Sequence, residues 1–125
     1  MNKKRPVNLD IGTIRLPITA YVSILHRVSG VALFFATAVL LWALDTSLSS
    51  PEGFAAVREC FQSVVGKIVL LLVLAGLVYH MVAGIRHLIM DCGVGESLEG
   101  GRAGAKAVLV VAAVLFVVLA GVWVW

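Results

Sequence analysis

Residues 64–90 read VVGKIVLLLVLAGLVYHMVAGIRHLIM, and between Val64 and Ile85 the only charged side chain is Lys67. An α-helix rises ~1.5 Å per residue, so about 20 apolar residues cross ~30 Å of hydrocarbon. The run is long enough to span a bilayer, and it lacks the alternation of a transmembrane strand. It is a membrane-spanning helix. With the helix leaving the hydrocarbon between His87 and Asp91, His80 lies roughly 10 to 16 Å inside, near the midplane. An imidazole at that depth needs a partner, because hydrocarbon offers it no hydrogen bond.

Two further apolar runs flank this one, over residues 21–45 and 107–125. Across the 125 residues, 61% are hydrophobic and 14% charged, and the mean hydropathy is +1.03, which excludes an ordinary soluble domain. The expectation is an all-α integral membrane protein with three transmembrane helices in a single domain, residues 1–125. Its parts are an arm over 1–20, a first span over 21–45 and an outer connection over 46–63. A second span over 64–90, a cytoplasmic connection over 91–106 and a third span over 107–125 follow. The first span is too long for the apolar core of a signal peptide and has no small-residue cleavage site close after it, so it stays in the mature chain. No internal repeat suggests a transporter built within the chain.

Basic residues set the orientation. Lys3, Lys4, Arg5 and Arg15 precede the first span, and Arg86, Arg102 and Lys106 flank the second connection. The first connection holds Arg58 and Lys67 beside Asp45, Glu52 and Glu59. The positive-inside rule then places the N-terminus in the cytoplasm and the C-terminus outside. The net charge of +3 is that of a basic juxtamembrane tail and calls for no nucleic acid. Cys60 and Cys92 fall on opposite sides of the membrane, too far apart for a disulfide, and two isolated cysteines make no metal motif.

The connections differ in character. Pro6 and Pro17 discourage a continuous helix before Thr19. Ser49, Ser50, Pro51 and Gly53 mark a turn followed by one or two helical turns. DCGVGESLEGGRAGAK, from Asp91 to Lys106, reads as a flexible glycine-rich link. The last run is apolar apart from the indole N–H groups of Trp123 and Trp125, which suit the outer interface.

Polar residues inside such spans carry the functional signal. Ser23, His26, Arg27 and Gly30 are spaced i, i+3, i+4, i+7 on one stripe, away from Ile24, Leu25 and Val28. Gly76, His80 and Gly84 form a second ridge in which a histidine stands between residues without side chains. Two readings of His80 stand side by side. In one it is a neutral imidazole bonded to a neighbouring helix, the glycines serving close packing. In the other its Nε2 is an axial ligand of haem iron. His87, ~10.5 Å further along the axis, cannot bind the same iron from the opposite side. His26, near the end of its helix, is too shallow to do so, and a second ligand would come from another chain. Antiparallel neighbours would bring Ser23, His26 and Arg27 toward Arg86, His87 and Asp91. Such a cluster suits haem propionates or the carbonyl oxygens of a quinone.

With these residues in place, the chain resembles the larger cytochrome b membrane-anchor subunit of bacterial succinate dehydrogenase (succinate:quinone oxidoreductase, respiratory complex II). RPVNLD, TIRLPITA, SILHRVSGV, LSSPEGF, YHMVAGIRHLIMD and LAGVWVW carry the resemblance over nearly the whole length. Its specific motifs are Ser-x-x-His-Arg-x-Ser-Gly and His-x-x-x-Gly-x-Arg-His-x-x-x-Asp. The resemblance implies a helix bundle formed with a second small anchor around haem b, in the bacterial inner membrane. It implies Ser23 and Arg27 at the ubiquinone site, His80 as an axial haem ligand, and His26 and Arg27 near the propionates. His87 and Asp91 are further candidates. It also implies a flavoprotein with FAD and an iron–sulfur subunit as partners, so this chain alone does not oxidise succinate. A fumarate reductase anchor or a haem-free structural anchor are the alternatives.

Overall fold

The computed structural model describes residues 5–125; Lys3 and Lys4, counted in the orientation argument, lie outside the described residues. Four helices follow one another: α1 (Ile18–Ser49), α2 (Pro51–Gln62), α3 (Val64–Asp91) and α4 (Leu98–Trp123). The three long ones are apolar enough to cross a membrane, and each packs on the other two. The ends where α1 and α4 begin and α3 finishes form one face of the bundle, here the amino-terminal face.

Serine caps start the later helices. Ser50, Ser63 and Ser97 each accept a hydrogen bond from the backbone N–H three residues on, at Gly53, Gly66 and Gly100. Each satisfies one of the donors that a helix start leaves without an intrahelical partner. These caps account for two departures from the sequence reading. The outer connection contains a 12-residue helix, α2, rather than a turn or two. Ser50 caps it, Pro51 suits its first position, and Val57 and Phe61 are partly buried where it folds back along α1 and α3.

The larger departure is α4, which begins at Leu98 and not at 107. Only a short turn separates it from α3, with Gly93 and Gly95 at φ of 82° and 75°, a region open to glycine and strained for other residues. The glycines that follow serve approach, not flexibility. Gly101 is buried, and a Cβ on Gly104 would lie 3.1 Å from Arg86 Nε. The cost of helical glycine, about 1 kcal/mol each, is offset by the contact of α4 with α3.

Val22, Ala83, Ala105 and Val108 form the buried centre toward the amino-terminal face. Gly101, Ala105, Val108, Ala112 and Ala120 continue along one stripe of α4, a small-residue seam of the kind that lets membrane helices approach closely. Outside it, Phe34, Phe35, Trp42, Val117 and Val122 are exposed. Water would not tolerate that surface, whereas lipid tails are its natural solvent. At the opposite end, Lys67 Nζ sits 4.6 Å from the ring centre of Trp125, an anchor of interfacial type. Cys60 and Cys92 are free and exposed, with the length of α3 between them.

Candidate functional site

The seam between α1 and α3 holds the polar chemistry. On α1 it is built from Val22, His26, Ser29, Gly30 and Leu33, spaced 4, 3, 1 and 3 along one face. Val22 is 1% and Ser29 9% exposed. Tyr79 donates from its hydroxyl to the Val22 carbonyl at 2.7 Å, tying the helices at one level. A reciprocal fit follows. Gly30 on α1 leaves room for His80, whose Cε1 would lie 3.0 Å from a Cβ there, and Gly84 on α3 faces His26, whose Nε2 would lie 3.6 Å away. The two histidines therefore sit side by side between glycines contributed by the opposite helix.

Three imidazoles stack as a result. The His26 ring centre is 4.3 Å from that of His80 and 5.1 Å from that of His87, with 29° between planes in both pairs. His26 is thus deeper than its position near a helix start suggested, level with the interval between the two α3 histidines. His80 Nδ1 lies 3.1 Å from the His26 carbonyl oxygen and 3.1 Å from Ser29 Oγ, while the Ser29 hydroxyl donates to the same carbonyl at 2.8 Å. A carbonyl oxygen only accepts, so Nδ1 carries the proton and donates. The neutral ring then keeps its lone pair on Nε2, and among the described residues no hydrogen bond reaches that atom. Among the described residues His26 Nε2 is buried without a partner, as is Arg86 Nε. His87 Nδ1 lies 3.3 Å from the Ala83 carbonyl, with its ring exposed.

The other expected residues do not join this group. Ser23 is half-buried and Arg27 exposed. At about 100° per residue both fall roughly a quarter to a third of a turn from the seam. The single stripe read from the spacing therefore splits: His26 and Gly30 enter the seam, and Ser23 and Arg27 flank it. Arg86 turns to α4, where Nη2 donates to the Gly101 carbonyl at 3.1 Å, and Asp91 is exposed at the end of α3. The expected meeting of Arg27 with Arg86 and Asp91 does not occur within the chain. Ser29 is the residue that sequence reasoning passed over. Its signal was present, three residues after His26 and next to Gly30 in the same motif.

An apolar recess of about 310 Å³ opens on the opposite seam, between α3 and α4 near the amino-terminal face. Arg86 is the one polar side chain in its lining, which is otherwise apolar.

A half-buried histidine with Nδ1 engaged, in a three-span chain, narrows the family. The model described as succinate dehydrogenase/fumarate reductase transmembrane subunit matches residues 1–119. The chain belongs to this family. Among its relatives, the succinate dehydrogenase cytochrome b556 subunit of Coxiella burnetii is 40% identical over the full length of both chains. The protein of the same name from Paracoccus denitrificans is 34% identical over 90% of this chain and 87% of its own. That from Rickettsia bellii is 36% identical over 93% and 90%. In this succinate dehydrogenase/fumarate reductase transmembrane subunit, the residues that lie inside the bundle and those on its flank thus divide into two chemical groups.

Proposed function

We propose that the chain is the cytochrome b anchor subunit of a bacterial succinate dehydrogenase, holding haem b with a second small anchor and forming part of a ubiquinone site. The observation that carries this reading is the arrangement at His80. Ligating histidines characteristically donate their other ring N–H to a carbonyl or carboxylate, which fixes ring orientation and strengthens the ligand. His80 does so to the His26 carbonyl, and the orphaned His26 Nε2 beside it is a donor or acceptor awaiting a polar group such as a propionate. The donor set fits haem. When bound, haem b supplies a one-electron redox centre whose potential answers to its axial ligands and their hydrogen bonds.

One imidazole from this chain would hold haem b, and the other protein ligand would come from the partner anchor. Arg27 and Ser23 lie on a flank that another subunit can close. Arg27 serves a propionate or the quinone there, and Ser23 donates a hydrogen bond to a quinone carbonyl oxygen. Arg27 offsets the negative charge that develops as the quinone takes up two electrons and two protons to become quinol. His87 and Asp91, exposed at the amino-terminal face, stand at the approach to that flank. Electrons come from an iron–sulfur subunit, fed by a flavoprotein with FAD that oxidises succinate. The amino-terminal face is cytoplasmic, the C-terminus periplasmic, and the membrane the bacterial inner membrane, consistent with the basic residues around the first span. The names of the relatives favour succinate oxidation over fumarate reduction.

The test is a reduced-minus-oxidised spectrum of the purified complex, wild type against His80→Ala, with succinate:quinone activity on the same samples. Loss of the b-type bands in the variant is expected. Wild-type bands in His80→Ala would remove the ligand assignment, and a haem-free wild type would leave a structural anchor. Ser23→Ala and Arg27→Leu should lower quinone reduction while the complex still assembles; unchanged quinone kinetics in both would take them out of the site.

A further inference from the structure

We infer that Ser29 is a positioning residue for the haem ligand: its hydroxyl fixes the ring plane and tautomer of His80 and through them tunes the iron. The inference rests on the reading of His80 as axial ligand and goes further, since neither the spacing nor the resemblance gave Ser29 a role. Ser29 is the one polar side chain among the described residues that is buried, at 9% exposure. Serines and threonines in helices commonly bond back to a carbonyl one turn earlier, and Thr37, Ser47 and Ser49 do so. Ser29 makes the same bond to His26 with a difference of place. Its oxygen faces α3 and lies 3.1 Å from His80 Nδ1.

Proton accounting gives the hydroxyl its function. Its single hydrogen goes to the His26 carbonyl at 2.8 Å, so toward His80 the oxygen presents lone pairs. The Nδ1–H is then shared between two acceptors, Ser29 Oγ and the His26 carbonyl. Two acceptors, rather than one, define a plane for the ring, and Gly30 seals its Cε1 edge. Both also withdraw the Nδ1 proton slightly, which makes Nε2 a stronger donor and favours ferric over ferrous iron. Without the hydroxyl, the carbonyl still holds Nδ1–H, and, relieved of the serine hydrogen, it recovers part of the loss. Haem therefore remains bound, while its potential rises and its ring gains freedom.

The experiment is a redox titration of the haem b absorption band in the intact complex, with low-spin EPR spectra of the oxidised samples, for wild type, Ser29→Ala, Ser29→Cys and His80→Ala. Cysteine nearly matches serine in size but accepts weakly, so it separates hydrogen bonding from packing. Ser29→Ala and Ser29→Cys should keep the haem and show a higher midpoint. The ferrous-to-ferric ratio at the wild-type midpoint should rise roughly three- to tenfold, the equilibrium equivalent of one hydrogen bond, with shifted g-values. Dye-linked succinate oxidation, which the flavoprotein performs, should be unchanged. Wild-type potentials and g-values in both haem-loaded variants would overturn the inference, as would haem loss in Ser29→Ala alongside a wild-type midpoint in Ser29→Cys, the pattern of a packing role. Should His80→Ala retain wild-type bands, the ligand reading itself fails and the inference goes with it; loss of those bands with unshifted Ser29 variants sinks the inference alone.

Discussion

α3 is packed on two sides, and the two seams are built from different chemistry. Toward α4 it meets glycine, alanine and valine, with Ala83 and Ala105 wholly buried and one long side chain, Arg86, laid across Gly104 to the Gly101 carbonyl. Its seam with α1 is lined by histidine, serine and tyrosine from the two helices, each tied to a backbone carbonyl or notched over a glycine. Lipid tails are as apolar as leucine, so membrane helices gain little from apolar contact as such and associate through close packing and hydrogen bonds. The α3–α4 seam does this at least cost. The α1–α3 seam carries polar groups that packing does not require; each seam also buries one side-chain nitrogen without a partner among the described residues, His26 Nε2 here and Arg86 Nε toward α4. On the proposed reading, the α1–α3 seam is the side of α3 that holds the haem.

The sharpest way to break that contrast is to overfill each seam in turn. Gly30→Val places a branched side chain against His80, while Ala105→Val crowds the fully buried small-residue seam. Each should destabilise by about 1–3 kcal/mol, measured as thermal unfolding of the complex in detergent, but only Gly30→Val should also abolish the b-type haem spectrum. Equal haem loss in both would mean that the seams are not functionally distinct. A smaller effect is expected of Arg86→Met, which removes a charge-assisted bond to Gly101 and should cost about 1–2 kcal/mol with the haem spectrum intact; a shifted haem band would move Arg86 to the histidine side of the comparison. The smallest is Ser97→Ala. Loss of the cap at Gly100 should cost about 1 kcal/mol and speed hydrogen exchange at the start of α4, leaving the midpoint potential of the haem unchanged. Slow exchange there in the variant would show that packing on Arg86, rather than the cap, holds the helix start.

Much of this was legible before any coordinates. Apolar runs located all three spans, and the midplane depth of His80, with glycines at four residues on either side, singled it out. Other features were misread for identifiable reasons. The glycines around Gly101 were weighed as flexibility, which outweighed the quieter Ser97 cap signal, although the same Ser-x-x-Gly spacing recurs at Ser50 and Ser63. Ser23, His26, Arg27 and Gly30 share a stripe broad enough to straddle a seam and its flank, and spacing does not say where within it the neighbour sits. Gly84 was read as a neighbour of His80 on its own ridge, and the structure adds that it faces His26 from the opposite helix.

By itself, then, the sequence determined that the chain is a membrane protein and how many spans it has, because these follow from hydropathy and rise along one axis. Only the tertiary structure decided that His26 stacks on His80, that Ser29 faces its Nδ1, that Arg27 stays outside the seam and that Arg86 belongs to α4. Those facts depend on how each helix is rotated about its own axis. Against uniform lipid that rotation is set by which small residues let neighbouring backbones approach, a property of pairs of helices that no single run of residues contains.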